Sequence, residues 1–467
     1  MLLTVIAAVL VVIVVIIAGA ALLNPPRALI TDAAFEPQTI TPNADGADDV
    51  TVFNYTLTRP ALVSLSLLNQ TTGQNFQFRQ NESRAPGDYS VAFSGVVDGY
   101  TLPDEHIEGE VLRRLIPDGT YTWTLSAVDE AGEALDLQGT LDVQNGDAPL
   151  PEIPEFTVSP HIFTPNQDGI ADRTQVNVSL TKDARLDVYL EPAGGGAPIY
   201  LPELLNETRV GQAGRHTYDY DGGVDLGANP PPDGDYTLIA YAQDAVGQEI
   251  RRTTDFTIAQ GGKPNAQILA QPSGATVVFE AQPYDERYYT DRNTQGDLIV
   301  PPSAPDSVSL TTIAMPVGDM LVFKLTIENY SGVPIRTSGP PPGTVYNWDQ
   351  ADSTFGWYEE AGAWRVGIDC TTAARDYPWR WAIGNADNLI AVEDPDTGNT
   401  YYYLPAGARS VVWGAIRMTR MEARNPQNCW AGLIHEQVEI AEANRNVGSR
   451  EIELIPVETN SSETAGG

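Results

Sequence analysis

Basic residues are scarce in this chain of 467 residues. It has 27 Lys and Arg against 62 Asp and Glu, a formal net charge of −35, and lysine occurs only at positions 182, 263 and 324. Proteins that hold nucleic-acid phosphates need clustered positive charge, so we expect no nucleic-acid partner. The acidity instead favours solubility and attraction for cations or basic partners.

Recognisable catalytic patterns are also absent from the sequence. The four histidines, at 106, 161, 216 and 435, lie in unrelated contexts, and no second histidine follows His435-Glu436 at the spacing of a zinc peptidase. There is no Gly-x-Ser-x-Gly elbow and no glycine-rich loop for phosphates or dinucleotides. We therefore expect a protein that is not an enzyme and that needs no cofactor, apart from the calcium ion considered below.

Cysteine occurs only twice, at Cys370 and Cys429, too far apart for a Cys-x-x-Cys metal or redox motif. In an oxidising compartment we expect these two residues to form one disulfide, which would stabilise the fold by about 4 kcal/mol through the entropy of the unfolded chain. Two buried free thiols are the alternative.

The N-terminal segment is entirely apolar except for Thr4, and its first 23 residues carry no charge. As a helix they would be about 35 Å long, which is enough to cross a bilayer. We predict an uncleaved transmembrane signal anchor over residues 1–27, with the bulk of the chain outside the cytoplasm at the cell surface. A secretory signal cleaved after Ala18-Gly19-Ala20 is the alternative.

One nine-residue phrase occurs twice: TPNADGADD at 41–49 and TPNQDGIAD at 164–172. Each copy is followed by two alternating apolar segments with a polar break, TRPA or TKDA, which predicts a β-hairpin. Each repeat also contains a Pro-Asp-Gly-x-Tyr turn, at 117–121 and 232–236, and a strand that ends in Ala-x-Asp-x-x-Gly. The pattern predicts two β-sandwich modules, 28–147 and 148–258, joined by a Pro-rich linker at 145–156.

These motifs resemble the immunoglobulin-like module of flagellar hook-capping proteins and the gliding-motility-associated C-terminal domains of secreted bacterial proteins. The resemblance covers residues 33–258, twice over. It implies an extracytoplasmic structural or adhesive module and brings no enzymatic activity with it.

The repeated Asp-Gly loops are candidate calcium sites. Clustered side-chain oxygens around a glycine suit a hard cation, and both copies supply them, although the Asp and Glu that an EF-hand needs at its first and twelfth positions are replaced by Asn. Asn and Asp beside Gly are equally typical of a tight turn before a strand. Both interpretations stay open for the residues concerned, which are Asn43, Asp45, Asp49, Asn166, Asp168 and Asp172.

A third region, 259–457, begins after a hinge at 259–267 and contains seven of the eight tryptophans, between 348 and 430. Strand patterns persist, as in 320–329, so we predict a larger immunoglobulin-like sandwich followed by a disordered tail, 458–467. The order Cys370, Trp379 or Trp381, Cys429 resembles the Cys–Trp–Cys core of immunoglobulin domains. The tryptophans suit core packing, or a platform that binds sugars or a peptide, for which the candidates are Trp357, Trp364, Trp379 and Trp381.

Together these features predict an all-β protein with tandem immunoglobulin-like β-sandwiches behind one N-terminal transmembrane helix. We expect an envelope scaffold or adhesin that meets the membrane through residues 1–23 and meets envelope proteins or surface glycans through its third region. One alternative is a pilus-like filament built on the apolar helix. Another is a sugar- or peptide-binding sensor subunit.

Overall fold

The computed structural model describes residues 6, 9–15, 27–103, 105–204, 211–270, 275–284, 311–394 and 397–457. Most of the predicted anchor, 1–27, and the whole predicted tail, 458–467, therefore lie outside the described residues. Within the described part of the chain, no helix is both long enough and apolar enough to span a membrane. Backbone contacts divide the chain into two compact units: Met1–Ser159 with Gln175–Asp219 and Tyr236–Asp255, and Pro160–Thr174 with Tyr220–Asp235 and Phe256–Gly467.

The first repeat folds as a two-sheet sandwich within the first unit. Its strands are β1 Ile30–Glu36, β2 Thr39–Ile40, β3 Thr51–Leu57, β4 Ala61–Asn69, β5 Asn75–Arg84, β6 Gly87–Phe93, β7 Val96–Asp98, β8 Glu110–Leu115, β9 Gly119–Asp129 and β10 Ala134–Val143. One sheet has the order β1-β3-β6 and the other the order β2-β10-β9-β4-β5. Alternate residues of β3 are buried, as expected for a strand with one face on the core.

The predicted hairpin after each Asp-Gly loop is wrong. In the first repeat β3 and β4 lie in different sheets, so the TRPA break carries the chain from one sheet across to the other. Arg59 in this break pairs with Asp129 at the end of β9, with 2.7 Å between Nε and Oδ2. Thr58 donates its hydroxyl to the Ala28 carbonyl. These bonds fix the crossing at the sandwich edge, whereas a hairpin would need the two strands side by side.

The second repeat has the strands β11 Glu155–Ser159, β12 Ile162–Phe163, β13 Thr174–Leu180, β14 Arg185–Pro192, β15 Ile199–Tyr200, β16 Gly214–Tyr220, β17 Gly234–Gln243 and β18 Glu249–Ile258. One of its sheets has the order β11-β13-β16. The other has the order β15-β14-β17-β18 and continues into β8 and β7 of the first repeat. The hairpin between β6 and β9 thus extends the sheet of the next module, a feature that the repeat alignment does not predict.

Side chains also fix the linker between the repeats, all within the first unit. The buried Gln248 donates from Nε2 to the carbonyls of Asp147 and Pro149, at 3.0 and 2.9 Å, and its Oε1 accepts from the backbone N–H of Leu115. Lys182 bridges Asp147 and Asp244 at 2.6 and 2.7 Å. A buried amide that forms hydrogen bonds with three backbone groups is costly to displace. The Pro-rich linker is therefore packed against the second repeat and is not a flexible linker.

The third region is a larger sandwich in the second unit. Its strands are β19 Ala266–Ile268, β20 Val277–Gln282, β21 Ile313–Pro316, β22 Met320–Asn329, β23 Ile335–Thr337, β24 Val345–Asn347, β25 Trp364–Cys370, β26 Trp379–Ala382, β27 Ile390–Glu393, β28 Thr400–Leu404, β29 Arg409–Arg417, β30 Gln427–His435 and β31 Val447–Ile455. One sheet has the order β19-β22-β29-β24, with β20 also on β22. The other has the order β21-β31-β30-β25-β23-β28-β27, with β26 on β25.

All three sandwiches share one topological feature. A short early strand pairs in parallel with the last strand: β2 with β10, β12 with β18, and β21 with β31. The inward alternation predicted for 320–329 is confirmed, because Leu321, Phe323, Leu325 and Ile327 of β22 are all buried. The all-β, tandem immunoglobulin-like character of the chain is therefore confirmed.

The Pro-Asp-Gly-x-Tyr turn of the first repeat is a tyrosine corner. Tyr121 lies near the start of β9 and is fully buried, and its hydroxyl donates to the carbonyl of Pro117, four residues upstream. Immunoglobulin-like sandwiches use such a bond to hold the corner before this strand. The motif noted in the sequence therefore has a direct structural role.

We expect Tyr121→Phe to lower the free energy of unfolding by about 1 kcal/mol, because it leaves the Pro117 carbonyl without its donor while the ring still fills the core. Denaturant unfolding followed by circular dichroism measures the change. Tyr200→Phe removes an exposed hydroxyl and is the matched control. Equal stabilities for the two variants would contradict the role of the corner.

Candidate functional site

The first Asp-Gly loop, 41–49, is a hydrogen-bonded turn. Asp49 accepts backbone N–H bonds from Asn43 and Ala44 on Oδ1, at 3.0 and 2.7 Å, and from Gly46 on Oδ2, at 2.8 Å. Asp45 accepts from the N–H of Ala47. Desolvation acts to raise the pKa of the Asp49 carboxyl, and these N–H donors, Gly46 first, outweigh it and hold the pKa below its usual value.

The second loop, 164–172, repeats this pattern in the second unit but is more buried than the first. Asp172 accepts from the N–H of Asn166 at 3.1 Å and of Gly169 at 2.5 Å, and Asp168 accepts from Ile170 at 2.8 Å. Asn166 and Asp168 are only 1% and 6% exposed. Burial, and after it the charge of Asp168, raises the pKa of Asp172 to about 6.

Third-region side chains bind this second loop. The Tyr403 hydroxyl donates to Asp168 Oδ2 at 2.9 Å, Arg336 Nε donates to the Asp168 carbonyl at 2.6 Å, and His435 Nε2 donates to the Gln167 carbonyl at 2.7 Å. The two backbones are in close contact, because a Cβ built on Gly362 would lie 2.1 Å from the Asp168 carbonyl carbon. The second copy of the repeated phrase thus packs against the third region.

Desolvation lowers the pKa of His435 to about 4, so the ring is neutral at physiological pH and donates through Nε2. The ring also stacks on Trp364 at 4.3 Å. His216 is equally engaged: its Nδ1 lies 2.6 Å from Glu203 Oε1 and its Nε2 lies 2.7 Å from the Gln212 carbonyl. Both histidines have structural partners at each of these atoms.

The donor set of the loops fits a turn better than a calcium site. Their carboxylate oxygens already accept backbone N–H bonds, and Ca²⁺ would need six to eight oxygens aimed at one point. In the described ranges, no group of three or more His, Cys, Asp or Glu residues is placed to hold a metal ion. The hydrogen bonding favours the turn interpretation, and calcium binding remains a prediction.

We expect a calcium chelator to leave the melting temperature of the protein unchanged, because the Asp49 and Asp172 carboxylates are satisfied by backbone donors. Differential scanning calorimetry with added calcium and with chelator measures this. The turn interpretation fails if calcium raises the melting temperature and the rise disappears in Asp49→Asn. The control is Asp136→Asn, which alters an exposed carboxylate away from the loop and should leave any calcium-induced rise in melting temperature in place.

Three of the four tryptophans predicted as a binding platform lie in the core. Trp364 is 5% exposed, and Trp379 and Trp381 are fully buried. Trp381 packs edge-on against Phe323 at 4.6 Å and donates its indole N–H to the Thr344 carbonyl at 3.0 Å. The binding role is wrong for these three, because all are buried. Alternation along β26 turns its two tryptophans toward the opposite sheet, and Trp364 lies in β25, where every residue is buried.

Trp357 lies elsewhere, half-buried at the rim of a cleft of about 680 Å³ in the third region. The cleft combines aromatic rings with amides, hydroxyls and one ion pair. Its lining includes Trp357, Tyr401, Tyr402, Leu389, Arg336, Glu360, Ser338, Asn385, Asn399 and Thr400. Of the four tryptophans, only Trp357 is part of this cleft. The Asn and Tyr residues around it come from loops and from β28, which carry no periodic signal that could reveal them in the sequence.

Arginines hold the loop that carries Trp357. Arg365 is fully buried and donates to the carbonyls of Ser338 and Tyr358, at 2.6 and 2.5 Å, and to Asp352 Oδ2 at 3.0 Å. Glu436, 2% exposed, pairs with Arg380 at 2.8 Å. Burial raises the pKa of Glu436, even though the charges of Arg380 and Arg365 act to lower it.

The second anchor of the loop is Arg336. Its two terminal nitrogens donate to Glu360 Oε2 at 2.9 Å and to the Ala361 carbonyl at 2.6 Å, and Ser338 donates to Glu360 Oε1 at 2.7 Å. The Glu360 carboxylate is thereby fixed at the cleft with its charge compensated.

The structure joins Cys370 and Cys429 by a disulfide. The two residues face each other across β25 and β30, which are neighbours in one sheet. The likeness to an immunoglobulin Cys–Trp–Cys core is therefore wrong, because that disulfide connects two sheets.

No known family model matches the chain, and no curated protein matches it in sequence. Among solved structures the chain is similar to a Ca²⁺-stabilised adhesin of an Antarctic bacterium that binds ice, with TM-score 0.23 and 12% identity, over 92% of this chain and 74% of that chain. It is also similar to a second bacterial ice-binding adhesin, with TM-score 0.18 and 11% identity, over 93% of this chain and 100% of that chain. A segment of two fibronectin type III domains from chicken tenascin matches with TM-score 0.16 and 14% identity, over 49% of this chain and 98% of the segment.

Proposed function

We propose that the chain is a membrane-anchored extracytoplasmic scaffold or adhesin that makes its contacts through the third region. The observation that carries the proposal is the joint between the two repeats. There β8 of the first module pairs with β18 of the second, with Val111 opposite Ile250 and Arg113 opposite Glu249. A sheet that continues from one module into the next resists bending, as a spacer that presents a binding domain must.

The hinge at 259–267 is bound in the same manner within the second unit. Asp233 accepts the N–H of Gln260 and of Gly261, each at 2.9 Å, and Gly262 donates to the Pro165 carbonyl at 3.1 Å. A short linker held by hydrogen bonds samples fewer conformations than a flexible Gly-rich linker.

The proposal includes the anchor, the location and the absence of catalysis. The apolar segment 1–23 supplies the membrane attachment, and a disulfide suits an oxidising compartment outside the cytoplasm. Envelope proteins or surface glycans are the partners. Tandem sandwiches with bound joints supply distance and position, which is the work of a scaffold or adhesin and needs no catalytic group.

Cross-linking in intact cells, followed by mass spectrometry of linked peptides, tests the proposal. With only three lysines, the chain calls for a carboxylate-reactive dihydrazide linker, which uses its 62 acidic residues. We expect links from residues 311–457 to other envelope components. Links mainly between copies of the chain, including the segment before residue 28, would instead indicate a filament. A version without residues 2–23 is the control, and it should lose both the membrane fraction and the links.

A further inference from the structure

We propose that the third-region cleft binds an uncharged saccharide, with Trp357 and Tyr402 packing against sugar rings. The inference deepens the proposed function, on which it rests, by giving the class of partner that the third region recognises. It starts from the chemistry of the lining and from the way in which the structure holds it.

The lining suits a sugar on both of its chemical faces. The C–H groups of a pyranose ring form an apolar face that packs on aromatic rings, and Trp357 is half-buried while Tyr402 is 41% exposed. Asn385, Asn399 and Thr400 carry amide and hydroxyl groups that can both donate to and accept from sugar hydroxyls. A volume of about 680 Å³ lies within the range of sites that hold small organic ligands.

The charges of the cleft favour a neutral ligand. Among its lining residues the only charged side chains are Arg336 and Glu360, and they pair with each other at 2.9 Å. No net charge is therefore left to attract an ion. The formal charge of −35 on the whole chain adds a long-range repulsion against polyanions.

The aromatic rim is held in place before a ligand arrives. Arg365 fixes the Tyr358 carbonyl next to Trp357, and Arg336 fixes Glu360 and the Ala361 carbonyl. The Glu360 side chain is 42% exposed, so its ion pair with Arg336 contributes little to stability, and the value of these bonds is positional. A rim that is already ordered loses less conformational entropy on binding.

Proline-rich peptides also bind to aromatic grooves, and they are the main competitor. Such peptides offer apolar rings and no backbone N–H groups, so they would give the side chains of Asn385, Asn399 and Thr400 fewer hydrogen bonds than a sugar does, at a cost in affinity. Saccharides satisfy both the rings and these polar groups.

Isothermal titration calorimetry on the full chain tests the proposal. The probes are the hexamers of β-1,4-glucose, β-1,4-N-acetylglucosamine and α-1,6-mannose, and decaproline as the peptide probe. We expect at least one hexasaccharide to bind, and Trp357→Ala to raise its Kd roughly tenfold or more. Tyr402→Ala should weaken binding similarly, while Tyr330→Ala should leave the Kd unchanged, because Tyr330 is 58% exposed and does not line the cleft.

Three results would overturn the assignment: no hexasaccharide binds, decaproline binds instead, or the Kd is the same in Trp357→Ala, Tyr402→Ala and the unaltered chain. Circular dichroism of each variant shows that the fold is intact, and Tyr402→Ala provides the answer if Trp357→Ala does not fold. Cross-links from the third region to envelope proteins, without any saccharide binding, would disprove the cleft assignment and leave the scaffold proposal standing.

Discussion

Reduction of the Cys370–Cys429 disulfide should lower the free energy of unfolding of the third region by about 4 kcal/mol. The two cysteines are 59 residues apart in sequence and face each other across β25 and β30. The bond therefore closes a long loop in the unfolded chain, and its removal returns that conformational entropy. Because both residues are buried, reduction leaves the native packing around them with the same atoms except for two added hydrogens.

Guanidinium unfolding with and without reductant measures this effect. Tryptophan fluorescence reports mainly on the third region, since seven of the eight tryptophans lie between 348 and 430. The double variant Cys370→Ala with Cys429→Ala is the control, and its transition should be the same with and without reductant. Maleimide labelling of both thiols in denatured, unreduced protein would show that the disulfide does not form and would contradict the prediction.

Local motifs allowed the sandwiches to be predicted from the sequence because each motif has its own backbone chemistry. The Asp of Ala-x-Asp-x-x-Gly accepts the N–H groups of its own turn in both repeats: Asp129 from Ala131 and Glu133, and Asp244 from Val246 and Gly247. Such Asx turns depend on neighbouring residues alone, so they are visible in a single sequence.

One long-range pairing can be predicted from the repeat. Arg59 and Lys182 occupy the same place in the polar breaks TRPA and TKDA, and each pairs at 2.7 Å with the Asp of its own Ala-x-Asp-x-x-Gly motif. Both repeats have a basic residue at the first of these positions and an acidic residue at the second, which indicates that the two side chains are in contact. This contact also excludes the hairpin that alternation alone predicts.

The different burial of the two Asp-Gly loops could not be predicted from their nearly identical sequences. Both loops form the same turn, yet Asp45 and Asp49 of the first are exposed or half-exposed while Asp168 of the second is buried. The difference arises from Arg336 and Tyr403, which lie more than 160 residues further along the chain than Asp168. Tertiary packing of this kind leaves no mark on the local pattern.

Similarly, tryptophan content does not separate core from cleft. Trp379 and Trp381 are placed in the core by strand alternation, whereas Trp357 lies in a loop, where no periodicity applies. The position of Trp357 depends on buried arginines whose partners are mostly backbone carbonyls. Because every residue type has a backbone carbonyl, these partners cannot be recognised in the sequence.

Arg365→Met is expected to destabilise the third region by about 3–5 kcal/mol, the cost of breaking a buried, hydrogen-bonded ion pair from one side. The variant leaves the carbonyls of Ser338 and Tyr358 without donors. Asp352 keeps Arg375, which lies at 3.0 Å and is half-exposed, and the N–H of Ser353, at 2.9 Å. Guanidinium unfolding followed by tryptophan fluorescence measures the loss.

Arg409→Met is the matched control for this substitution. Arg409 pairs with Glu328 at 2.7 Å, but its side chain is 60% exposed, so the expected loss is below about 1 kcal/mol. A second comparison, Arg365→Met with Asp352→Leu, removes the carboxylate that the single variant leaves buried. The double variant should recover part of the loss, because the uncompensated charge is gone. A double variant less stable than the single one would show that lost packing, and not the unpaired charge, dominates.

Hydrogen exchange in Arg365→Met distinguishes a loss of stability across the whole third region from a loss of order in the loop that carries Trp357. If Arg365 holds the loop that carries Trp357, Arg365→Met should accelerate exchange at the amides of residues 352–360, relative to the unaltered protein. This acceleration should exceed the one at the strand amides of β22 and β29, even under conditions where the protein stays folded. Uniform acceleration across the third region would mean that Arg365 stabilises the sandwich as a whole and does not specifically position the rim. Faster exchange confined to the loop would show that a buried charge in the core sets the geometry of the cleft at the surface.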